Sequence, residues 1–383
     1  MATEAVGAYR NNSSEPLVDV EVRYEHSPGL PRLLNEIGAS LVLTTYQAGR
    51  VITVGVHDKA LQIRFNYVPH AMGLSRTPSG LAIGSLHGVW TLPASLDLAP
   101  NLSPEGHHDI AFLARSFHQT GPVLGHDLAW CDGQLWLVNT LFNCLCTLQA
   151  PWSFIPQWRP PFINTITAED RCHLNGLAIN RDGRRPAFVT AHGTSNDPGG
   201  WRVNKADGGC LMDVASGEII LNGLSMPHSP RLHHEKLYFL NSGRGELLEF
   251  STLNGSSNVL VQLPGFTRGL DCHGSIAAVG LSRIRESAVF GGLPIAAEMD
   301  ELQCGIVFVD LDTGEKLGHL WFLSGVEEIY STAFIPGYLN PAVIGPDCGI
   351  DKNQTIWLVP SLGGTDIMNM HASPDATATS TSP

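Results

Sequence analysis

Apolar residues come along the chain in short alternating or continuous runs of strand length, each closed by Gly, Pro, Asn or Asp, and no long stretch repeats at a helical period. The pattern predicts an all-β protein. At a spacing of several tens of residues the chain also resembles itself: an apolar strand, a tight polar turn, a second apolar strand and a polar loop recur. The copies pair 69–75 with 80–85, 125–131 with 134–139, 172–178 with 187–190, 227–233 with 236–241, and 267–273 with 275–280. A weaker sixth copy pairs 329–335 with 355–359 across a longer insertion. The second residue of each copy falls at 70, 126, 173, 228, 268 and 330, in steps of 56, 47, 55, 40 and 62 residues. Each step accommodates one four-stranded blade, so the expectation is a six-bladed β-propeller over residues 38–363. Strands at 40–45 and 50–56 precede the first copy and are expected to complete the last blade, a closure that leaves no open sheet edge. Residues 1–37 form an N-terminal extension with a short helix expected from Pro31 to Gly38, and residues 364–383, rich in Ser, Thr, Ala and Asp, form a tail expected to be disordered.

This topology gives the second residue of each copy a chemical meaning, because the first strand of each blade lines the central channel. His70, His126, His173, His228, Arg268 and Tyr330 then converge on one ring. Histidine supplies only 16 of the 383 residues, so four histidines at six aligned positions exceed what chance gives. Converging neutral imidazoles suit a divalent transition metal such as Zn, Fe, Mn or Cu, with a position left for water or substrate. The expected metal set is His70, His126, His173 and His228, or His126, His173 and His228 with His70 as a nearby acid, base or fourth ligand. Asp127 is placed to orient a ligand. The plainer alternative is a set of imidazoles bonded to one another, to backbone carbonyls and to channel water. Arg268 can anchor a carboxylate or oxyanion and Tyr330 can pass a proton, which makes both catalytic candidates; Arg268 could instead pair with Asp271, and Tyr330 could be a core aromatic. Loops after the second strands carry His87, Asn139, Asn143, His192, Asn241, Arg244, Arg283 and Arg285, a polar set expected to bind substrate. The loop from Gly193 to Arg202 could serve as a lid, with Trp201 as its apolar contact. Of Glu327 and Glu328, at most one can face the channel, since neighbours on a strand point to opposite faces.

Composition narrows the functions further. A formal charge of −13, with no basic patch, argues against nucleic acid and anionic membranes as partners. No run is apolar enough to span a membrane and the N-terminus lacks a signal-peptide pattern, so a cytoplasmic protein is expected. The eight cysteines match neither a zinc ribbon nor a redox CxxC motif and read as reduced, buried side chains. Walker, GxGxxG, GxSxG and HExxH motifs do not occur, which argues against the mechanisms built on them.

Several segments carry a resemblance: 44–50 (TTYQAGR), 156–162 (PQWRPPF), 168–176 (AEDRCHLNG), 225–231 (SMPHSPR) and 264–270 (PGFTRGL). Through them the chain resembles an uncharacterised family of bacterial conserved hypothetical proteins over roughly residues 38–346. More distantly, it is similar to six-bladed propeller enzymes of the peptidylamidoglycolate lyase type. That resemblance implies channel histidines on zinc assisted by an arginine and a tyrosine, residue types matched here by His126, His173, His228, Arg268 and Tyr330, in a different order around the ring and without that family's sequence repeats. Carotenoid-cleaving oxygenases resemble the site in holding iron on four propeller histidines, but they have seven blades. The function expected is thus a metal-dependent lyase, hydrolase or oxygenase acting on a small polar or anionic molecule or a peptide. The competing expectation is a non-catalytic propeller that binds a protein or small ligand.

Overall fold

A computed structural model describes residues 3–11, 18–284, 291–298, 301–351, 355–360 and 367–371. Six sheets, antiparallel but for one parallel strand at the rim of the first, surround one axis. The first blade runs outward from Leu74–Thr77 through Gly80–Ser85 to Gly88–Ser95, which pairs further with Ile110–Leu113 and Ser116–Gln119. The second to fourth blades each have four consecutive strands, beginning with Gly125–Cys131, Leu174–Ile179 and Pro227–His233. The fifth begins with Phe266–His273 and ends with Lys316–Phe322. Each inner strand packs against the next, and that of the sixth blade packs against that of the first.

The sixth blade closes the ring with both ends of the chain. Its inner strand is Ser331–Pro336, paired antiparallel with Ala39–Thr45 so that Ser331 faces Thr44 and Pro336 faces Ala39. Arg50–His57 and Ala60–Tyr67 complete it, as the pattern predicts. The expected partner strand at 355–359 is not part of this blade. Ile356–Pro360 pairs instead with Ile367–His371, because residues near the N-terminus already occupy every place outside Ser331–Pro336. A strand therefore lies within the tail expected to be disordered, and the rest of that tail falls outside the described residues.

The N-terminal extension is more ordered than its mixed polarity suggests. Val18–His26 pairs with Lys316–Phe322 and Thr3–Asn11 pairs with it in turn, widening the fifth sheet to six strands. The helix spans Leu30–Ile37, with Pro31 in its first turn where the missing N–H costs nothing, and Gly38 ends it in the left-handed region at φ 62°. Leu30 and Leu34 are fully buried in a core shared with Leu41, Leu43, Ile52, Phe308, Phe322 and Phe334. Each such side chain contributes about 1.5–3 kcal/mol by leaving water. No helix among the described residues is long and apolar enough to cross a membrane.

Candidate functional site

One end of the channel opens into a cavity of about 320 Å³ lined by His126, His173, His192, His228, Arg268 and Tyr330, with Met72, Leu124, Trp201, Met226, Phe266 and Glu328 among its walls. Neighbouring imidazoles form a chain: ring centroids lie 4.7 Å apart for His126 and His173, 4.5 Å for His173 and His192, and 4.9 Å for His192 and His228.

The same local device orients His126 and His228. Leu124 and Met226 adopt φ of 55° and 46°, and each carbonyl accepts a bond from the Nδ1–H of the histidine two residues later, at 2.9 Å for His126 and 2.7 Å for His228. A carbonyl can only accept, so the proton sits on Nδ1 in both rings. Thr140 Oγ1, 2.8 Å from His126 Nδ1, gives its own proton to the Leu174 carbonyl. Ser242 Oγ holds the matching place beside His228 at 2.8 Å. For His173 the acceptor is the carboxylate of Asp170, with Nδ1 at 2.9 and 3.0 Å from its two oxygens. Burial holds His126 and His228 well below the ordinary imidazole range, helped in both by the charge of Arg268. These two rings are neutral at pH 7, with Nε2 as the lone-pair nitrogen.

His192, expected only as a substrate contact in a loop, is part of this cluster. It is 1% exposed, and neither ring nitrogen has a hydrogen-bond partner among the described residues. Burial, the largest effect on its ring, keeps it neutral too. Its position repeats: Thr140, His192 and Ser242 each follow the last residue of a second strand, Asn139, Ala191 and Asn241. Where two blades place a hydroxyl against the ring of the inner strand, the third places an imidazole.

Arg268 donates to Glu328 Oε1 from Nη1 at 2.8 Å, not to Asp271, and its Cζ lies 3.5 Å from the Tyr330 ring centroid. Glu328 is thus the member of the Glu327–Glu328 pair that reaches the cavity. Burial pushes the Tyr330 phenol well up, so it stays protonated, and its buried hydroxyl has no partner among the described residues. Trp201 forms a buried wall of the cavity. It is 2% exposed, its Nε1–H donates to Asp170 Oδ2 at 2.9 Å, and its ring lies 4.3 Å from that of His173.

Other expected site residues stand elsewhere. His70 is exposed beside Tyr46, at 5.1 Å between ring centroids, and Met72 takes the cavity position in the first blade. His87 is exposed, its carbonyl holding the turn at Thr120 and Gly121. Asn139 and Asn241 are buried and brace backbone, their Oδ1 atoms accepting from the amides of Phe142 and Ser225, and Asn143 Oδ1 likewise holds Cys172. The Arg244 carbonyl accepts from Gln262, and Arg283 donates to the carbonyls of Phe322 and Leu323. None of these seven lines the cavity. Arg285 lies outside the described residues. Asp127 binds no imidazole: it pairs with Arg231 at 2.9 Å and takes the Leu177 amide, near the other mouth of the channel.

The donors suit a transition metal in chemistry, since two or more are neutral imidazoles whose second nitrogen is tied to a carbonyl, hydroxyl or carboxylate. They are not closed around a point: among the described residues no group of three or more His, Cys, Asp or Glu side chains is arranged to hold an ion.

Comparison with known proteins adds a family. A family model described as a domain of unknown function (DUF4915) matches residues 28–344, and the chain belongs to that family. No curated protein matches the sequence. Among solved structures, a nidogen/laminin complex is similar with a TM-score of 0.47 at 9% identity, over 78% of this chain and 99% of that one. A catalytically inactive virginiamycin B lyase from Staphylococcus aureus with quinupristin gives a TM-score of 0.36 at 11% identity, over 83% and 99%. A putative 6-phosphogluconolactonase from Bacteroides uniformis gives 0.40 at 11%, over 76% and 84%.

Proposed function

We propose that this member of the DUF4915 family is a metal-dependent enzyme acting on a small polar substrate at the histidine-lined end of its channel. One observation carries the reading: His126, His173 and His228 each commit Nδ1 to a fixed acceptor, which orients the ring and leaves Nε2 as its coordinating atom. These three, with His192 beside them, would hold a divalent ion, and His70 drops out of the set. A bound zinc, iron or copper ion supplies Lewis acidity at such a site, with zinc suited to lyase or hydrolase chemistry and iron or copper to oxygen chemistry. The protein's own groups do the rest. Arg268, held by Glu328, orients the substrate; the Tyr330 phenol, kept protonated, donates a hydrogen bond or a proton; Trp201, Met226 and Phe266 exclude water.

A second reading, a cavity that binds a small ligand without catalysis, is favoured by the open spacing of the imidazoles. Metal analysis of protein purified after metal-replete expression separates the two. One equivalent of metal in wild type, lost in the His173→Ala, His228→Ala double variant with its circular dichroism unchanged, is the expected result. Substoichiometric metal in wild type overturns the metal reading.

A further inference from the structure

A second cavity, of about 730 Å³, lies on the outer side of the ring where the sixth blade meets the first. One wall is the strand Ala60–Tyr67. Its residues Leu61, Ile63 and Phe65 pack against the core, so the alternation of a strand turns Arg64 and Asn66 to the opposite face. The facing wall is the connection that carries Asn101, Ser103, Glu105 and His108. Between them the donors lack acceptors. Arg64 Nε is buried with no hydrogen-bond partner, and no carboxylate pairs with the guanidinium among the described residues. Asn66 is 7% exposed, and its Nδ2 is equally without a partner. The nearby acid is already engaged: Asp351 accepts the Tyr67 amide at 3.0 and 2.8 Å and lies 3.3 Å from Arg50 Nη1. Burial pulls the Arg64 guanidinium below its ordinary value, and after burial it is the charge of Arg64 that lowers His108. Buried polar groups in native proteins are satisfied and desolvated charges are paired, so an orphan guanidinium and an orphan amide on one strand face point to a ligand that brings an anionic acceptor. Glu105 is exposed at the same cavity, so one negative charge on the ligand meets Arg64 and a second would meet a like charge. A guanidinium forks onto a planar carboxylate. Asn101, Ser103 and His108 suit hydroxyls, which both donate and accept.

We propose that this cavity is a second ligand site, separate from the channel, which binds a hydroxylated monocarboxylate with its carboxylate on Arg64 and Asn66.

Glucuronate, glucose and glucose 6-phosphate share one ring and differ at a single carbon, so they separate a carboxylate from a neutral group and from a phosphate. Calorimetric titration of the full chain should show saturable binding of glucuronate, about tenfold or more tighter than of either other compound, the effect of a charge-assisted bond. Arg64→Gln should remove that preference, and Asn66→Ala should weaken glucuronate by about fivefold. The His173→Ala, His228→Ala variant should bind glucuronate as wild type does, which keeps this site's outcome apart from that of the channel. In ligand-free protein Arg64→Gln should hold or raise the thermal midpoint, because it removes a desolvated cation that nothing pairs. A midpoint lowered by several degrees would mark Arg64 as structural and overturn the proposal. Equal binding of glucose, a preference for glucose 6-phosphate, no saturable binding of glucuronate, or its loss in the double histidine variant would each overturn it as well.

Discussion

His192 and His70 exchange the places that repeat alignment assigns them, and the reason is local. His126 and His228 are the second residues of their inner strands, whereas His70 precedes the first blade's inner strand by four positions, so the aligned motif overshoots the cavity there. The signal for His192 was present, since Thr140 and Ser242 follow their strands at the same place, but it required knowing that a hydroxyl braces each ring. Burial of the rings predicts how stability depends on pH. On unfolding, His126, His192 and His228 regain an ordinary value near 6.5, above their folded values, so unfolding takes up protons below that pH. Their contribution is complete above about pH 6.5 and is lost as the pH falls, at about 1.4 kcal/mol per pH unit for each ring. Urea unfolding from pH 8 to 5 should show this slope, and His192→Gln should reduce it by about one proton. Asp170 tests orientation instead: Asp170→Asn should weaken metal binding by about 10–100-fold, read by competition with a chelator, while the β-sheet signal is kept.

At the scale of elements, the inner strands do more than present side chains. Arg231 on the fourth blade reaches Asp127 on the second through both Nη atoms, at 2.9 and 3.2 Å, and the carbonyl of Leu177 on the third at 3.1 Å. Asp127 also accepts the Leu128 and Leu177 amides. One ion pair thus ties three blades together beneath the cavity, and the carboxylate that bonds a cavity imidazole is Asp170, not Asp127. Sequence spacing placed Asp127 next to His126, but successive strand residues face opposite ways, so its neighbour's chemistry could not be its own. Removing one partner strands a buried charge: Arg231→Ala should cost about 3–5 kcal/mol in urea unfolding. The Arg231→Ala, Asp127→Ala double variant should cost less than the sum of the single changes, as paired groups do.

For the whole molecule, the repeat made the number of blades legible, because the same apolar strand pair recurs wherever an inner strand must pack against its neighbours. The additions to the rim were not legible. Val18–His26 on the fifth sheet and Pro341–Ile344, which runs parallel to Ile110–Leu113, follow no repeat and are fixed by edges that exist only after the ring has formed. Closure itself depends on backbone pairing between distant segments, Ser331–Pro336 with Ala39–Thr45. Gly269 belongs to the same seam: at φ 81° its missing Cβ would sit 3.0 Å from the Ser331 backbone, so the fifth and sixth inner strands approach more closely than a side chain there permits. A chain ending at Tyr330 would lose the sixth inner strand and leave Ala39–Thr45 and Phe266–His273 facing a gap with unsatisfied edges and exposed core. It should unfold without a sharp transition and aggregate. A chain ending at residue 363 keeps the seam, and its thermal midpoint should stay within a few degrees of the full protein, because the described strand it lacks, Ile367–His371, pairs with Ile356–Pro360 and with no blade. Sedimentation velocity and calorimetry of the two truncations distinguish these outcomes. A cooperative, monomeric chain ending at Tyr330 would show that five blades can close on their own, and that the sixth is not what holds the histidines together.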